Sequence, residues 1–193
     1  MERTIWKPGN MLYPVPPVLV TCRCDGQDNV FTAAWTGTVC SEPPMCYVSI
    51  RKERHSHDMI EKSGVFVINL PCRKLARAVD YCGVKSGRDE NKFETAHLAV
   101  QEAVKIDAPC LAESPVCLEC RVTEVLHLGS HDMFLAKIES VDIDPSLLDE
   151  KGRFHLEKAD LISYSHGTYY TLGQAIGTFG WSVKKAHRKQ RKK

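Results

Sequence analysis

No apolar run in this 193-residue chain approaches the ~18 residues that a membrane-crossing helix needs, and Met1-Glu2-Arg3-Thr4-Ile5-Trp6-Lys7-Pro8-Gly9 holds no apolar core of a secretory signal. The expectation is a cytoplasmic protein with no membrane partner. An even number of cysteines is also lacking: nine rule out a disulfide framework that pairs every thiol. GxxxxGK[ST], GxGxxG after a strand, GxSxG and HExxH are all absent. The common phosphate loop, dinucleotide fingerprint, hydrolase elbow and zinc-protease helix are thereby excluded. No segment repeats with a period of 20–50 residues, which removes solenoids and propellers.

Acid is missing from the last ten residues, where Lys184, Lys185, Arg188, Lys189, Arg191, Lys192 and Lys193 place seven positive charges. Such a run repels itself and has no apolar face to bury, so residues 184–193 are expected to form a disordered basic tail. The overall charge of +2 conceals it: residues 1–183 carry 19 Lys and Arg against 24 Asp and Glu, a net −5. An acidic body repels polyanions, so nucleic acid is not an expected partner beyond what the tail attracts. The rest of the composition is ordinary. With 43% hydrophobic and 26% charged residues, 12 Gly and 10 Pro, the chain reads as one globular domain over residues 1–183.

The cysteines invite a metal site, and the string Cys117-Leu118-Glu119-Cys120 followed by His127 and His131 is the best candidate. Its spacer is shorter than that of a zinc finger. Val116, Leu118, Cys120 and Val122 alternate with Cys117, Glu119, Arg121 and Thr123, the period-2 pattern of a half-buried strand. Both sulfurs then point to opposite faces and cannot share a tetrahedral ion. Cys22 and Cys24 do share a face, yet supply only two ligands. The expectation is no metal, with buried cysteines acting as small hydrophobes.

Val15 to Cys24 reads as a first strand, and Asp25-Gly26-Gln27-Asp28-Asn29 as its turn. A second strand runs from about Val30 through Trp35 and stops before Ser41-Glu42-Pro43-Pro44; Cys46 to Ile50 is a third. Ser56 to Gly64 reads as a short helix with Ser56 as N-cap and Gly64 as its stop. Val65 to Leu70 is an apolar strand, and Lys74 to Tyr81 a helix closing at Gly83. Asp89 to Thr95 suggests a helical turn, and Leu98 to Ile106 fits strand or helix. Val116 to Leu128 and Met133 to Ile143 predict a long hairpin, with Leu161 to Tyr164 and Tyr169 to Thr171 as last pieces. The pattern is mainly β with a few helices, an antiparallel barrel of six or seven strands, closed or split.

Charge is misplaced at one point. Arg51, Lys52, Arg54, His55 and His57 crowd the start of the first helix, whose N-terminus already carries about half a positive charge. A phosphate would relieve the conflict, held by first-turn N–H groups, the Ser56 hydroxyl and a guanidinium fork. A solvated loop paired with Glu42, Glu53 and Asp58 would satisfy the same residues. Just upstream, Ala33, Ala34 and Gly37 would let a flat ligand approach the backbone, with Asn29 and Thr32 offering hydrogen bonds to a polar ring edge. Small residues facing a bulky core neighbour explain that strand equally well.

These segments carry a resemblance. Tyr13-Pro14-Val15-Pro16-Pro17-Val18-Leu19-Val20-Thr21, Asn29-Val30-Phe31-Thr32-Ala33-Ala34-Trp35, Ser41-Glu42-Pro43-Pro44 and Ser49-Ile50-Arg51-Lys52-Glu53-Arg54-His55-Ser56 are similar, in order, to the flavin reductase-like FMN-binding split-barrel family, particularly its flavoredoxin branch. So are Phe66 to Pro71, Cys82 to Glu94 and His166 to Tyr170. The resemblance implies a six-stranded antiparallel split barrel with peripheral helices, a homodimer, and FMN near the subunit interface. It further implies that Asn29, Thr32, Ala33, Ala34 and Trp35 contact the isoalloxazine and ribityl region. Ser49, Arg51, Lys52, His55 and Ser56 would hold the phosphate, and Lys92 would be a further flavin contact, where the family often has an acid in place of the preceding Asn91.

The activity implied by the resemblance is that of an FMN oxidoreductase that takes hydride from NAD(P)H, with binding residues and no protein nucleophile. The competing reading is an electron carrier of flavoredoxin type, whose FMN is reduced by a redox partner protein.

Overall fold

Two burial patterns build the sheet: Pro44–Arg51 and the first half of His131–Ile143 alternate buried with less buried side chains, whereas residues 18–22 and 65–69 are buried on both faces. A computed structural model describes residues 1–184, so the expected basic tail lies, from residue 185 onward, outside the described residues. Strands β1 (Val18–Cys24), β2 (Gln27–Ala33), β3 (Thr36–Ser41), β4 (Pro44–Arg51), β5 (Val65–Leu70), β8 (Val116–Leu128) and β9 (His131–Ile143) form one antiparallel sheet. Their order is β2-β1-β5-β8-β9-β4-β3. Short pairs β6 (Val100–Glu102) with β7 (Pro109–Leu111) and β10 (Ile162–Ser165) with β11 (Thr168–Thr171) lie outside it.

The sheet has seven strands where the resemblance implied six. The strand expected to run unbroken past Trp35 bends at Ala34-Trp35 and becomes β2 and β3, which pair with β1 and β4 at opposite edges of the sheet. Because only those two residues join the edges, the sheet must curl on itself, and β2 and β3 meet without pairing. The barrel is therefore split rather than closed. Across the bend, Ser49 N donates to Trp35 O at 2.8 Å.

One face of the curl is a dry core. Val20, Phe31, Val48, Ile50, Phe66, Ile68, Cys120 and Phe134 fill it, and Met59 and Ile60 of helix α1 (His55–Ser63) plug one end. Burying a side chain such as Phe66 or Phe134 contributes about 1.5–3 kcal/mol. Helix α1 stops at Gly64, whose φ of 68° lets its N–H reach Ile60 O, as its sequence position suggested. On the other face, helix α2 (Ala76–Val84) sets Val79 and Cys82 against Leu19 and Val30. The β6–β7 flap lays Ile106, Ala108 and Cys110 over Val65, Val67 and Cys117. Cys117 and Cys120 do face opposite sides of β8, and Cys22 and Cys24 share the inner one. Among the described residues no helix is long and apolar enough to cross a membrane.

Candidate functional site

The crowded cations come together. Arg51 at the end of β4, Arg54, His55 and Ser56 at the start of α1, and Asn29 of β2 line a cavity of about 470 Å³ with Lys85, Ser86, Gly87, Arg88 and Lys92. Five of these carry a fixed positive charge, and Glu53 is the single carboxylate in the lining. Glu53 is engaged by Arg51 at 3.2 Å. The remaining excess is what an anion would neutralise, and although His57 N donates to Arg54 O at 3.0 Å, a helix start leaves the N–H groups ahead of it without intrahelical acceptors. The sequence pattern makes Ser56 the N-cap; the cap falls two residues earlier, at Arg54, and the helix begins at His55. Ser56 is instead buried in the first turn, its Oγ accepting from Asn29 Nδ2 at 2.6 Å.

Lys92 decides the character of the cavity. It opens helix α3 (Lys92–Thr95), which Asn91 caps by accepting from Phe93 N. The side chain is only 3% exposed, and Nζ donates to Lys85 O at 3.3 Å. No carboxylate forms a salt bridge with it among the described residues. Burial pushes its pKa below the ordinary lysine value; the nearby Cys82 and Cys22 oppose this, and Arg54 adds to it. Those cysteines supply no charge at neutral pH, because burial pushes the thiols up to about 11 and about 12. Desolvation, then Arg88 and Lys92, also hold His55 below its usual value against Asp58. A buried ammonium without a counter-ion is costly, and an anion in the cavity offsets that cost.

A second cavity, of about 370 Å³, takes Thr32, Ala34 and Trp35 together with Tyr13, Asp80, Tyr164 and Tyr169. Residues 83–88 border both: Gly83 and Val84 line this one, and residues 85–88 the basic one. Arg54 braces that segment by donating to Gly83 O at 3.0 Å. The Thr32 hydroxyl is occupied, donating to Val79 O of α2. Ala33 faces the barrel core. Ser49 and Lys52 line neither cavity. Lys85, Ser86 and Arg88 are site residues that the sequence motifs do not single out; their signal is the pair of cations flanking Ser86-Gly87.

Lys52 points instead to Asp132, a carboxylate 2% exposed at the start of β9. Its Oδ2 accepts from His57 Nε2 at 2.8 Å, while Oδ1 lies 3.1 Å from His127 and 3.4 Å from Lys52 without forming a well-directed bond. Burial raises its pKa, but His57, His127 and Lys52 outweigh that and hold it down to about 2. Asp132→Asn is expected to cost about 1–3 kcal/mol at pH 7, as for a buried charged hydrogen bond. A depressed carboxyl stabilises the fold above its unfolded value, so this contribution disappears as pH falls from about 4 towards 2. Urea melts across that range should show the parent and the variant converging.

Residues 10–173 match the flavin reductase like domain. The chain belongs to that family. Among solved structures, it is similar to the flavoredoxin of Desulfovibrio vulgaris (Miyazaki F), at 30% identity and a TM-score of 0.87, covering 95% of this chain and 100% of that one. The flavoredoxin of Methanosarcina acetivorans aligns over the same shares at 26% identity, also with a TM-score of 0.87. A relative of uncharacterised function from Archaeoglobus fulgidus is 32% identical over 140 residues, covering 72% of this chain and 78% of the relative. Membership in the flavin reductase-like family accounts for the split barrel.

Proposed function

We propose that the protein is an FMN-binding oxidoreductase of flavin reductase type, holding the FMN phosphate in the basic cavity and drawing its electrons from NAD(P)H. The observation that carries this reading is the excess of cations around the first turn of α1, with Lys92 buried and unpaired by any carboxylate among the described residues. That donor set suits a phosphomonoester: Arg51 and Arg54 offer guanidinium forks, Ser56 a hydroxyl, and Lys92 a desolvated point charge. Bound FMN would supply the hydride and electron chemistry, so the chain needs no nucleophile.

The protein's part is binding, orientation and exclusion of water. Thr32, Ala34 and Trp35, beside Tyr13 and Tyr164, are the residues proposed to meet the ring, because their aromatic and small side chains suit a flat ligand. Asn29, bonded to Ser56, stands on the strand that runs between the two regions. Ala33, Ser49 and Lys52 are proposed to make contact through backbone or a bound partner subunit, since they line neither cavity. The working unit is proposed to be residues 1–183 as a homodimer; exposed apolar side chains on both terminal segments, Trp6, Leu12, Ile176 and Phe179 among them, support an interface there.

The second reading is an electron carrier reduced by another protein, favoured by the likeness to flavoredoxin over that protein's whole length. Anaerobic visible spectra of the FMN-loaded, desalted protein separate the two. Bleaching of the flavin by NADH or NADPH is the expected result. Bleaching by dithionite alone would establish the carrier and overturn the reductase reading.

A further inference from the structure

We propose that Cys110, Glu119 and Asp142 form a zinc site on the outer face of the sheet, away from the basic cavity and from its aromatic neighbour. Zinc at Cys117 and Cys120 remains excluded, since those sulfurs face opposite ways. The fold, however, brings donors from three strands to one place. Cys117 and Asp142 are direct cross-strand partners on β8 and β9, and Glu119 lies two residues along the same face. The β6–β7 flap then lowers Cys110 onto them, anchored by Leu111 N donating to Asn69 Oδ1 at 2.8 Å and by the Thr21 hydroxyl donating to Pro109 O. A sulfur of Cys110 and carboxylate oxygens of Glu119 and Asp142 all lie within 4.8 Å of one another.

Charge points to a cation there. Glu119 is fully buried, and its two oxygens accept from Val104 N at 2.7 Å and Lys105 N at 2.6 Å, bonds that fix the carboxylate and leave lone pairs free. Asp142 stands against it, and neither acid forms a salt bridge among the described residues. Two carboxyl groups in contact, one wholly out of water, require a shared proton or a cation between them. A thiol as third donor favours a borderline-soft ion over calcium or magnesium. Ligand arms of about 2.0–2.3 Å set donor atoms roughly 3.3–3.8 Å apart, so small side-chain adjustments complete the site. Cys117, packed in the same cluster as Cys110, is not a ligand: its thiol donates to Asn69 Oδ1 at 3.2 Å. A cavity of about 890 Å³, lined by Cys110, Cys117, Ser114 and Asp142, gives the ion entry and leaves a coordination position open to water. Binding would release two protons to solvent, the Cys110 thiol proton as the S–Zn bond forms and the proton shared by Glu119 and Asp142 as their oxygens take the metal.

The test is a titration of the reduced, chelator-treated protein with Co²⁺ as the spectroscopic stand-in, followed by Zn²⁺. One equivalent of Co²⁺ should give a thiolate-to-metal charge-transfer band that Zn²⁺ abolishes. Asp142→Asn, at a half-exposed position, should weaken binding at least tenfold. Cys110→Ser should remove the band, and Cys40→Ser, on distant β3, should leave it. Circular dichroism confirms that each variant is folded. No uptake of Co²⁺, or a band and affinity that persist in both Asp142→Asn and Cys110→Ser, would overturn the site and leave a proton shared between the two acids. Flavin plays no part in the readout, so failure here is independent of the FMN reading.

Discussion

Lys92→Met is expected to weaken FMN binding by roughly 10- to 100-fold, the equivalent of one charge-assisted hydrogen bond, while raising the melting temperature of the FMN-free protein. The two effects have one cause. The Lys92 ammonium is 3% exposed, donates to a single carbonyl, and is pushed below its ordinary pKa by burial, so its charge is a cost wherever no phosphate pairs with it. Methionine has a similar volume and no charge to desolvate. A gain of about 1 kcal/mol would appear as roughly 2–4 °C in a domain of this size. The bound state reverses the balance, because the phosphate finds one cation fewer. The sign also sets a pH dependence: a lysine with a depressed pKa loses its proton earlier than usual as pH rises. FMN affinity should therefore fall on the alkaline side before ordinary lysines titrate, and Lys92→Met should lack that fall. Calorimetric titration and thermal melts check both halves. A variant that loses stability while keeping FMN affinity would make Lys92 merely structural.

Gly87→Ala is expected to be the most damaging single-methyl change near the site. A Cβ at Gly87 would lie 2.1 Å from Asn29 Oδ1 and 2.8 Å from its Cγ. Asn29 cannot step aside freely, since it is 5% exposed and bonded to Ser56 Oγ at 2.6 Å. Overpacking of this kind costs about 1–3 kcal/mol. The clash also displaces the Lys85–Arg88 segment that closes the basic cavity, so FMN affinity should drop about tenfold or more alongside stability. Two controls isolate the contact. Gly173→Ala, where nothing lies within 4 Å, should be near neutral. Asn29→Ala in the Gly87→Ala background should restore part of the lost stability but not the affinity, because the clash is relieved while the polar contact stays missing. Equal stability of Gly87→Ala and the parent protein would show that the close packing of Gly87 on Asn29 does not hold in solution.

Local pattern carried much of the fold. Val65–Leu70 and the long β8–β9 hairpin were legible because apolar runs and turn residues bound them on both sides. The bend at Ala34-Trp35 was not legible: nothing in Thr32-Ala33-Ala34-Trp35-Thr36 breaks a strand, and the break comes from the two sheet edges that β2 and β3 must join. Ser56 was misread as a cap for a related reason. Its residue type suits the N-cap, but burial against Asn29 draws it into the first turn. The charge conflict at Arg51 to His57 pointed to the basic cavity, since electrostatics near a helix end can be judged from adjacent residues. The contributions of Lys85 and Arg88 could not be, because tertiary folding alone brings residues some thirty positions downstream against α1. Lys52 shows the converse: it is next in sequence to Arg51, yet it lies in the turn after β4 and reaches Asp132 instead of the cavity.

The proposed recognition of FMN rests on the phosphate. Parallel calorimetric titrations of the protein with FMN and with riboflavin, which share the ring and the ribityl chain and differ only in that group, test it most directly. The prediction is that FMN binds at least about 100-fold more tightly than riboflavin, corresponding to two or more charge-assisted contacts in the basic cavity. Equal affinity for the two, or binding of neither, would contradict it.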